Sequence, residues 1–276
     1  MVAQILCIGQ SDSCAGTGIQ ADIKTAMAFG GYAATAVTAV SVQNTQGVYD
    51  IHAIPTDVVR HQIEKVLDDL KPKVIKSGML GNTRTIDMFG DILDRLQDTD
   101  IKVVIDPVMT SRASGSIMDK EARDALKRRL LIRGHVLTPN ITEAQDLSGI
   151  PKIVDVEGMV HAAETLRTLG AQTVILKGGL LADNHIYDVL ADDEGTKIYQ
   201  YNRMESRATH GAGTTLSAGI AMGLAQGMSP RDAFSRARAF VHKAIQEGEV
   251  IGNGFGPLNH KVSLDNLVKP LKVSAA

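Results

Sequence analysis

The chain has little cysteine: only Cys7 and Cys14 occur in its 276 residues. Two cysteines at this spacing cannot build a disulfide framework or a cysteine-rich zinc site. Cys7 lies in an apolar run, where an ordinary core residue is expected. The sequence also lacks an apolar run of membrane-spanning length, a low-complexity linker and an internal repeat. These features argue against a disulfide-stapled domain, a membrane-spanning protein and a repeat array.

A strong charge of either sign is lacking too, since 29 basic and 31 acidic residues leave a formal net charge of −2. This balance argues against a general nucleic-acid-binding protein. A hydrophobic content of 44% in a chain of this length is typical of a globular protein that can bury a large core. Met1 leads directly into a strand-like segment, without the basic region, long apolar stretch and cleavage site of a secretory signal. We therefore expect a cytoplasmic protein.

Short apolar runs alternate along the chain with segments of helical periodicity. Strands are predicted at residues 4–8, 33–42, 73–76, 101–105, 135–137 and 173–176, and helices lie between most of them. Residues 186–190 and 197–203 are typical of an antiparallel hairpin. The pattern predicts one α/β domain over residues 1–260, with a mainly parallel central sheet flanked by helices and a small antiparallel hairpin. Residues 261–276 are predicted as a C-terminal tail, in which Leu264, Leu267 and Leu271 favour a short helix.

A glycine-rich stretch stands out at residues 208–217, Ala-Thr-His-Gly-Ala-Gly-Thr-Thr-Leu-Ser. Gly211 and Gly213 occur where a loop leads into a helix of small residues. Glycine lets successive N–H groups point in one direction, and a helix N-terminus adds partial positive charge. The stretch therefore predicts an anion site suited to a phosphoryl group, although it also fits a glycine-cushioned helix start without a ligand.

Polar and glycine-rich loops follow the predicted strands. In an open parallel sheet, ligands bind beyond the carboxyl ends of the strands, and these loops converge there. They comprise residues 10–18, 43–45, 77–81, 106–115, 138–143, 177–179 and 209–214. Seven such loops at one edge of a sheet predict an enzyme site.

Seven motifs occur in an order that is typical of one family. They are Ser11-Asp-Ser with GTGIQADIKT at 16–25, VQNT at 42–45, SGMLG at 77–81, DPVM at 106–109, LTPNITE at 137–143, KGG at 177–179 and HGAG at 210–213. From about Ile5 to His260 the sequence resembles the hydroxymethylpyrimidine/phosphomethylpyrimidine kinases of thiamine biosynthesis, which belong to the ribokinase-like superfamily. The resemblance implies an ATP- and Mg²⁺-dependent kinase that phosphorylates 4-amino-5-hydroxymethyl-2-methylpyrimidine and then its monophosphate. It also implies a homodimer.

The resemblance also implies roles for individual residues. The catalytic loop comprises Gly211, Ala212, Gly213 and Thr214, and the ATP contacts are Asn140, Lys177 and Thr209. The Mg²⁺ ligands are Asp106 and Glu143. The substrate contacts are Asp22, Gln43 and Met79. Hard carboxylate oxygens suit Mg²⁺ directly or through water, and an amide can both donate to and accept from the pyrimidine ring.

Each of these residues also has a purely structural interpretation. Asp106 fits a turn cap before Pro107, and Glu143 fits a favourable charge at a helix start. Asn140 and Thr209 fit helix capping and turn formation, Lys177 and Asp22 solvated positions, Gln43 a turn and Met79 simple packing. His210 is interpreted as part of the loop structure rather than as a general base.

The sequence departs from the family pattern at Thr214, where the family usually has cysteine and many sugar kinases have aspartate. A threonine hydroxyl is a poor base at neutral pH. Phosphorylation of an alcohol benefits from a base, whereas a phosphate monoester, with a second pKa of about 6, is already largely ionised. We therefore expect the monophosphate step to be better preserved than the alcohol step. In the first loop, Gln10, Cys14 and Ala15 replace the usual glycine, serine and glycine.

Two other functions remain open at this point. A pyridoxal or pyridoxine kinase would share the fold and would phosphorylate a similar hydroxymethyl ring, although residues 43–45 favour the pyrimidine enzymes. A non-catalytic pyrimidine sensor would explain Thr214, but the presence of Asp106, Glu143 and the glycine pair argues against it.

Overall fold

The computed structural model of the chain describes residues 2–111, 115–116, 118–267 and 269–276. The strands are β1 (Gln4–Asp12), β2 (Tyr32–Asn44), β3 (Gly47–Ala53), β4 (Val74–Ser77), β5 (Lys102–Ile105), β6 (Thr110–Ser111), β7 (Gly115–Ser116), β8 (Val136–Leu137), β9 (Val174–Lys177), β10 (His185–Asp192), β11 (Gly195–Asn202) and β12 (Lys272–Ala275). The α-helices are α1 (Gly18–Ala28), α2 (Thr56–Leu70), α3 (Thr83–Arg95), α4 (Lys120–Leu130), α5 (Ile141–Ser148), α6 (Val156–Thr168), α7 (Ala212–Ala225) and α8 (Pro230–Gln246).

A ten-stranded sheet in the order β12-β11-β10-β9-β8-β5-β4-β1-β2-β3 forms the centre of the molecule. The six strands from β9 to β2 run parallel to one another. Antiparallel strands complete both edges: β3 on one side, and β10, β11 and β12 on the other. The predicted α/β fold with a mainly parallel sheet and an antiparallel hairpin is confirmed.

Helices cover both faces of the sheet and bury two apolar cores. Helices α2 to α6 pack on one face, where Ile63, Phe89 and Leu166 are fully buried. Helices α1, α7 and α8 pack on the other face, where Phe240 is fully buried. The small residues of α7 let it lie close to α8, and an added Cβ on Gly219 would stand 2.8 Å from the Cβ of Ala237. This close packing fixes the start of α7 over the carboxyl edge of the sheet.

Several helices begin as the sequence indicates. Asp119 caps α4 by accepting a hydrogen bond from the backbone N–H of Ala122, and Pro230 opens α8 behind the capping residue Ser229. No helix in the described parts of the chain is long and apolar enough to cross a bilayer.

Two segments differ from the prediction. Strand β1 continues past Ile8 to Asp12, because Ser11 and Asp12 pair with β2 after an irregularity near Gly9. Among residues 261–267 and 269–276, the short helix expected from Leu264 to Leu271 does not form; Lys272–Ala275 instead pairs with β11. The predicted loop at 106–115 lies partly outside the described residues. The boundary between domain and tail at residue 260 stays a prediction.

Candidate active site

The glycine-rich loop forms the start of helix α7, as the sequence predicts. Gly211 precedes the helix with φ of 89°, a conformation that favours glycine, and an added Cβ would lie 1.8 Å from the carbonyl oxygen of Gly16. Ala212, Gly213 and Thr214 supply the first-turn N–H groups, which have no acceptor within the helix unless a cap or a ligand provides one. The Ala212 N–H approaches the carbonyl of Thr209 at 3.3 Å. This helix start has the chemistry of an anion site.

Asp106 and Lys177 meet beside this helix start. Asp106 follows β5, Lys177 ends β9, and the Lys177 Nζ donates to Asp106 Oδ1 at 2.9 Å. An added Cβ on Gly213 would stand 3.3 Å from the same Nζ, so the ammonium lies at the first turn of α7. Burial opposes the charge of Lys177, but the carboxylates of Asp106 and Glu143 outweigh it and raise the lysine pKa. Lys177 is therefore positively charged at neutral pH.

Two further hydroxyl groups hold the Asp106 carboxylate. Thr138 Oγ1 donates to Oδ1 at 3.2 Å, and Ser217 Oγ donates to Oδ2 at 3.1 Å. Together with Lys177, they fix the carboxylate between the sheet and helix α7. Neither hydroxyl was predicted from the sequence. Ser217 lies four residues after Gly213, on the same helix face, and Thr138 is the first residue beyond β8; these positions are the signals that could have identified them.

Asn140 and Glu143 form a capping box at the start of α5. The Asn140 side chain accepts from the Glu143 N–H at 2.9 Å, and Glu143 Oε2 accepts from the Asn140 N–H at 2.8 Å. The structural interpretation of both residues is thus observed. Burial raises the pKa of Glu143 to about 7; Lys177 opposes this rise and Asp106 adds to it. A buried carboxylate with a pKa near neutrality, close to a second carboxylate, is typical of a functional site.

The predicted substrate contacts occupy a different side of the site. Gln43, near the end of β2, is buried, and its amide lies 3.3 Å from the ring nitrogen Nε2 of His210. Met79 is buried beyond β4, and its carbonyl accepts from Thr38 Oγ1. His210 therefore connects the glycine-rich stretch at 208–217, called the anion loop below, to Gln43 in the motif at 42–45.

Asp22 is fully buried, on α1. Its carboxylate accepts two hydrogen bonds, at 2.9 and 3.2 Å, from Lys76 Nζ, which is also buried. Burial raises the pKa of Asp22 to about 6 against the attraction of Lys76. Contact between Asp22 and a substrate stays a prediction. Lys76 was missed, although a lysine inside a short apolar strand is the signal of a buried ion pair.

Thr214, at the position where a base is usual, is buried. Its hydroxyl lies 2.8 Å from the hydroxyl of Thr17, immediately before α1. Neither hydroxyl is a base at neutral pH. The described side-chain partner of Thr214 therefore offers no acceptor strong enough to remove a proton from an alcohol.

A preformed metal cluster is not found in the described part of the chain, where no three His, Cys, Asp or Glu side chains are grouped for ligation. Asp106 accepts three hydrogen bonds of the about four that a carboxylate can accept, and Glu143 accepts two. The pair thus has capacity for a cation that brings most of its own ligands, as Mg²⁺ does with phosphates and water.

Comparison with known proteins gives a consistent result. The model of the phosphomethylpyrimidine kinase family matches residues 12–259. The chain is 38% identical to the hydroxymethylpyrimidine/phosphomethylpyrimidine kinase of Bacillus subtilis over 94% of this chain and 95% of that protein. It is also 38% identical to the thiamine biosynthesis bifunctional protein ThiED of Geobacter sulfurreducens, covering 95% of this chain but 53% of that protein. The chain thus spans about half the length of this bifunctional relative.

A solved structure shares the whole fold. The pyridoxal kinase from Staphylococcus aureus, in complex with AMP-PCP and pyridoxal, superimposes with a TM-score of 0.88 at 32% identity, over 100% of this chain and 99% of that chain. The matching family model and the curated relatives are those of small-molecule kinases, and a helix start, a lysine and two carboxylates at the carboxyl edge of a parallel sheet are compatible with that class. Within that class, the chain belongs to the phosphomethylpyrimidine kinase family.

Proposed function

We propose that this chain uses ATP to phosphorylate 4-amino-5-hydroxymethyl-2-methylpyrimidine and its monophosphate in thiamine biosynthesis. The observation that carries this proposal is the contact between Lys177 and Asp106 at the first turn of α7. There a fixed cation and a carboxylate lie beside the first-turn N–H groups of the helix. Phosphoryl transfer depends on such positioning and charge stabilisation rather than on covalent chemistry by the protein.

In this proposal the first turn of α7 binds the phosphoryl group in transit. The N–H groups of Gly213 and Thr214 donate to its oxygens, and the helix N-terminus favours their negative charge. Lys177 binds ATP phosphates as a point charge, while Asp106 and the hydroxyls on it hold the ammonium in place. Asn140 and Thr209 stand at the same edge and supply further polar contacts to the nucleotide.

Asp106 and Glu143 are the residues that would hold Mg²⁺. Because Asp106 already binds Lys177, we propose that the ion is bound through water and through the phosphates rather than by a set of protein ligands. Bound Mg²⁺ supplies neutralisation of charge on the phosphate oxygens. Glu143, with its raised pKa, becomes fully ionised when a cation is close.

Thr214 limits the alcohol step in this proposal. Its hydroxyl contacts Thr17 and lacks the basicity to accept the substrate proton. A phosphate monoester needs no such acceptor, since it is largely ionised at pH 7. The monophosphate should therefore be the better acceptor of the two, and the alcohol step should proceed slowly by positioning and charge stabilisation alone.

Formation of ADP in the presence of each acceptor tests the proposed function. ATP and Mg²⁺ are supplied with the pyrimidine alcohol, its monophosphate or pyridoxal, and phosphorylated products are identified by ³¹P NMR. We expect turnover of both pyrimidine compounds, with the monophosphate faster. ADP formation that is absent with every acceptor, together with a thermal shift caused by the pyrimidine, would instead establish a sensor.

A pyridoxal kinase is the second candidate, because the Staphylococcus aureus enzyme binds pyridoxal on the same fold. The family match and the Bacillus subtilis relative support the pyrimidine instead. Under competing conditions, with equal concentrations of pyridoxal and the pyrimidine monophosphate, the monophosphate should be consumed first. Preferential consumption of pyridoxal would reverse the assignment.

A further inference from the structure

Asp188 joins helix α8 to the peptide that follows Lys177. It lies on β10, opposite Lys177 in the antiparallel pairing of β9 and β10. Its Oδ1 accepts the backbone N–H of Gly178 at 3.0 Å, and its Oδ2 accepts from Arg238 Nε, on α8, at 2.6 Å. Both side chains of this ion pair are buried. The carboxylate therefore ties the end of β9 to α8 inside the protein.

The backbone around Lys177 is held on both of its flanks. The Lys177 N–H donates to the carbonyl of Pro139 at 2.8 Å. The next N–H along the chain, that of Gly178, is the one that Asp188 accepts. Gly178 passes so close to β10 that an added Cβ would lie 1.8 Å from the carbonyl oxygen of Tyr187. These contacts fix the point from which the lysine side chain starts.

Arg238 fixes the direction of the Asp188 carboxylate. Its guanidinium lies over the ring of Tyr201, 4.2 Å from the centroid, and its Nε binds one carboxylate oxygen. The other oxygen is thereby turned to Gly178. A buried ion pair contributes little net stability compared with apolar residues of similar size, because both charges lose their hydration. Stability alone thus does not account for a charge pair at this place.

A second ion pair between the same strand and the same helix shows what Asp188 adds. Arg231 of α8 donates to Asp192 of β10 at 2.7 Å, at the β10–β11 turn. The Asp192 carboxylate also accepts the N–H of Glu194, within that turn. Of these two pairs, only the one at Asp188 also holds a backbone N–H next to Lys177.

We infer that Asp188, oriented by Arg238, is a positioning residue for the nucleotide phosphates. It holds the Gly178 N–H, and through this peptide it keeps the Lys177 ammonium beside Asp106 and the first turn of α7. Without the acceptor, the buried N–H is unpaired, and the turn moves to find another partner. The lysine then moves with it. The inference rests on the proposed function, in which Lys177 binds ATP phosphates.

Two double variants separate the hydrogen bond from the ion pair. Asp188→Val/Arg238→Met replaces the pair by apolar side chains, so that no buried charge is left without a partner. Asp188→Asn/Arg238→Met removes the same charges but keeps an amide oxygen for the Gly178 N–H. Asp192→Val/Arg231→Met is the control at the far end of β10. Circular dichroism establishes that each variant is folded at the temperature of the assay.

Asp188→Asn by itself gives a second comparison, which does not depend on the valine variant. An amide has one acceptor oxygen, and the charged guanidinium of Arg238 attracts it, so the NH₂ group is left to face the Gly178 N–H. Nucleotide affinity should therefore be lost in Asp188→Asn and recovered when Arg238→Met is added. A merely structural ion pair would not be repaired by a second substitution of this kind.

Binding of AMP-PCP with Mg²⁺ is measured by calorimetry, and turnover of the pyrimidine monophosphate is followed separately. We expect the dissociation constant of AMP-PCP to rise about tenfold in the valine double variant and in Asp188→Asn, the effect of one hydrogen bond to a buried group. The asparagine double variant and the Asp192 control should bind AMP-PCP nearly as the wild type does. KM for the monophosphate should change little in all of them, because Asp188 acts on the nucleotide side.

The inference is overturned if the valine and asparagine double variants bind AMP-PCP with the same affinity, or if the Asp192 control loses as much. Where the valine variant does not fold, a lack of recovery on adding Arg238→Met to Asp188→Asn overturns it. A chain that shows the expected binding pattern but phosphorylates no acceptor would remove the proposed function and leave the inference standing. A wild type that does not bind AMP-PCP would remove both.

Discussion

Asp106 is the residue on which the geometry of the site depends most. It accepts from Lys177, Thr138 and Ser217, so its replacement disturbs a cation and two hydroxyls at once. We expect Asp106→Asn to lower kcat by at least about 10²-fold, because charge stabilisation at the transferring phosphoryl is lost. Steady-state assays with the monophosphate, at a temperature where circular dichroism shows a folded variant, measure this loss.

Asp192→Asn is the matched control for Asp106→Asn. Asp192 is a buried carboxylate at the β10–β11 turn, at the other end of β10 from the residue that pairs with Lys177, and Arg231 Nε donates to it at 2.7 Å. Removal of either carboxylate charge takes the main partner from a largely buried cation, which typically costs up to about 3–5 kcal/mol of stability. The two variants should therefore be similarly destabilised but differ widely in kcat. Equal losses of kcat would show that Asp106 acts only as a structural anchor.

Ala15 occupies a backbone conformation that suits glycine. Its φ is 57°, in the first loop, where the family usually has glycine. Ala15→Gly should stabilise the fold by about 0.5–1 kcal/mol. The free energy that alanine loses in the left-handed conformation is larger than the free energy that the extra backbone entropy of glycine costs on folding. Ala28→Gly, the same change within α1, should instead destabilise by a similar amount. Urea unfolding measures both variants, and a destabilised Ala15→Gly would contradict the assigned strain.

Sequence reasoning identified many single residues but not their partners. The positions of Lys177, Asp106 and the glycine pair follow from loops at strand ends, and they do meet in the fold. The Thr17–Thr214 contact and the Asp22–Lys76 pair join residues that are 197 and 54 positions apart. Such pairings are set by how α1 packs against the sheet and α7, which no local pattern encodes.

At the scale of elements, the sequence predicted the strands and helices that have a strong hydrophobic pattern. It did not predict the full length of strands whose residues are held only by pairing with a neighbouring strand. The short runs of β4, β5 and β9 are buried on both faces, and their apolar character identifies them. The last residues of β1 are polar and are strand only because they pair with β2. Residues 272–275 likewise become a strand because β11 offers a free edge.

The first turn of α7 is held by a hydrogen bond to His260, which follows α8 in the chain. Its Nε2 accepts from Thr215 Oγ1 at 2.9 Å, and burial, with a smaller effect from Lys24, lowers its pKa from 6.5 to about 4. Because the folded state resists protonation, the stability from this site is complete above pH 6.5 and is lost as the pH falls towards 4.

His260→Gln should reduce the fall in unfolding free energy between pH 7 and pH 4.5 by about 2–3 kcal/mol, because glutamine accepts from Thr215 but does not titrate. Chemical denaturation at each pH measures this difference. His161→Gln, at an exposed position on α6, is the control and should leave the pH dependence unchanged. Parallel pH curves for wild type and His260→Gln would contradict the assignment.

At the scale of the whole molecule, one edge of the sheet supports the proposed homodimer. Val40 and Val42 on β2 and Tyr49 on β3 are exposed, although strand residues of this kind are usually covered. Alternation places the two valines on one face of the strand. We propose that a second copy of the chain covers this surface.

Val42→Asp should convert the dimer to a monomer, because a carboxylate buried in an apolar interface lacks a partner. Light scattering coupled to gel filtration measures the mass. Val154→Asp, which adds the same charge at an exposed valine outside the sheet, should remain dimeric. A wild type that is monomeric at micromolar concentration would show that the chain does not form the proposed homodimer.

The central claim is that the anion loop at Gly211–Gly213 transfers phosphoryl groups but lacks a base at Thr214. The ratio of kcat/KM for the alcohol to that for the monophosphate tests it most directly, in the wild type, Thr214→Cys and Thr214→Ser. A base is typically worth about 10²–10⁴-fold, so Thr214→Cys should raise the alcohol value by at least about tenfold. The monophosphate value, and both values in Thr214→Ser, should change little. A wild type that uses the alcohol as well as the monophosphate, or an equal change for both substrates in Thr214→Cys, would contradict the account.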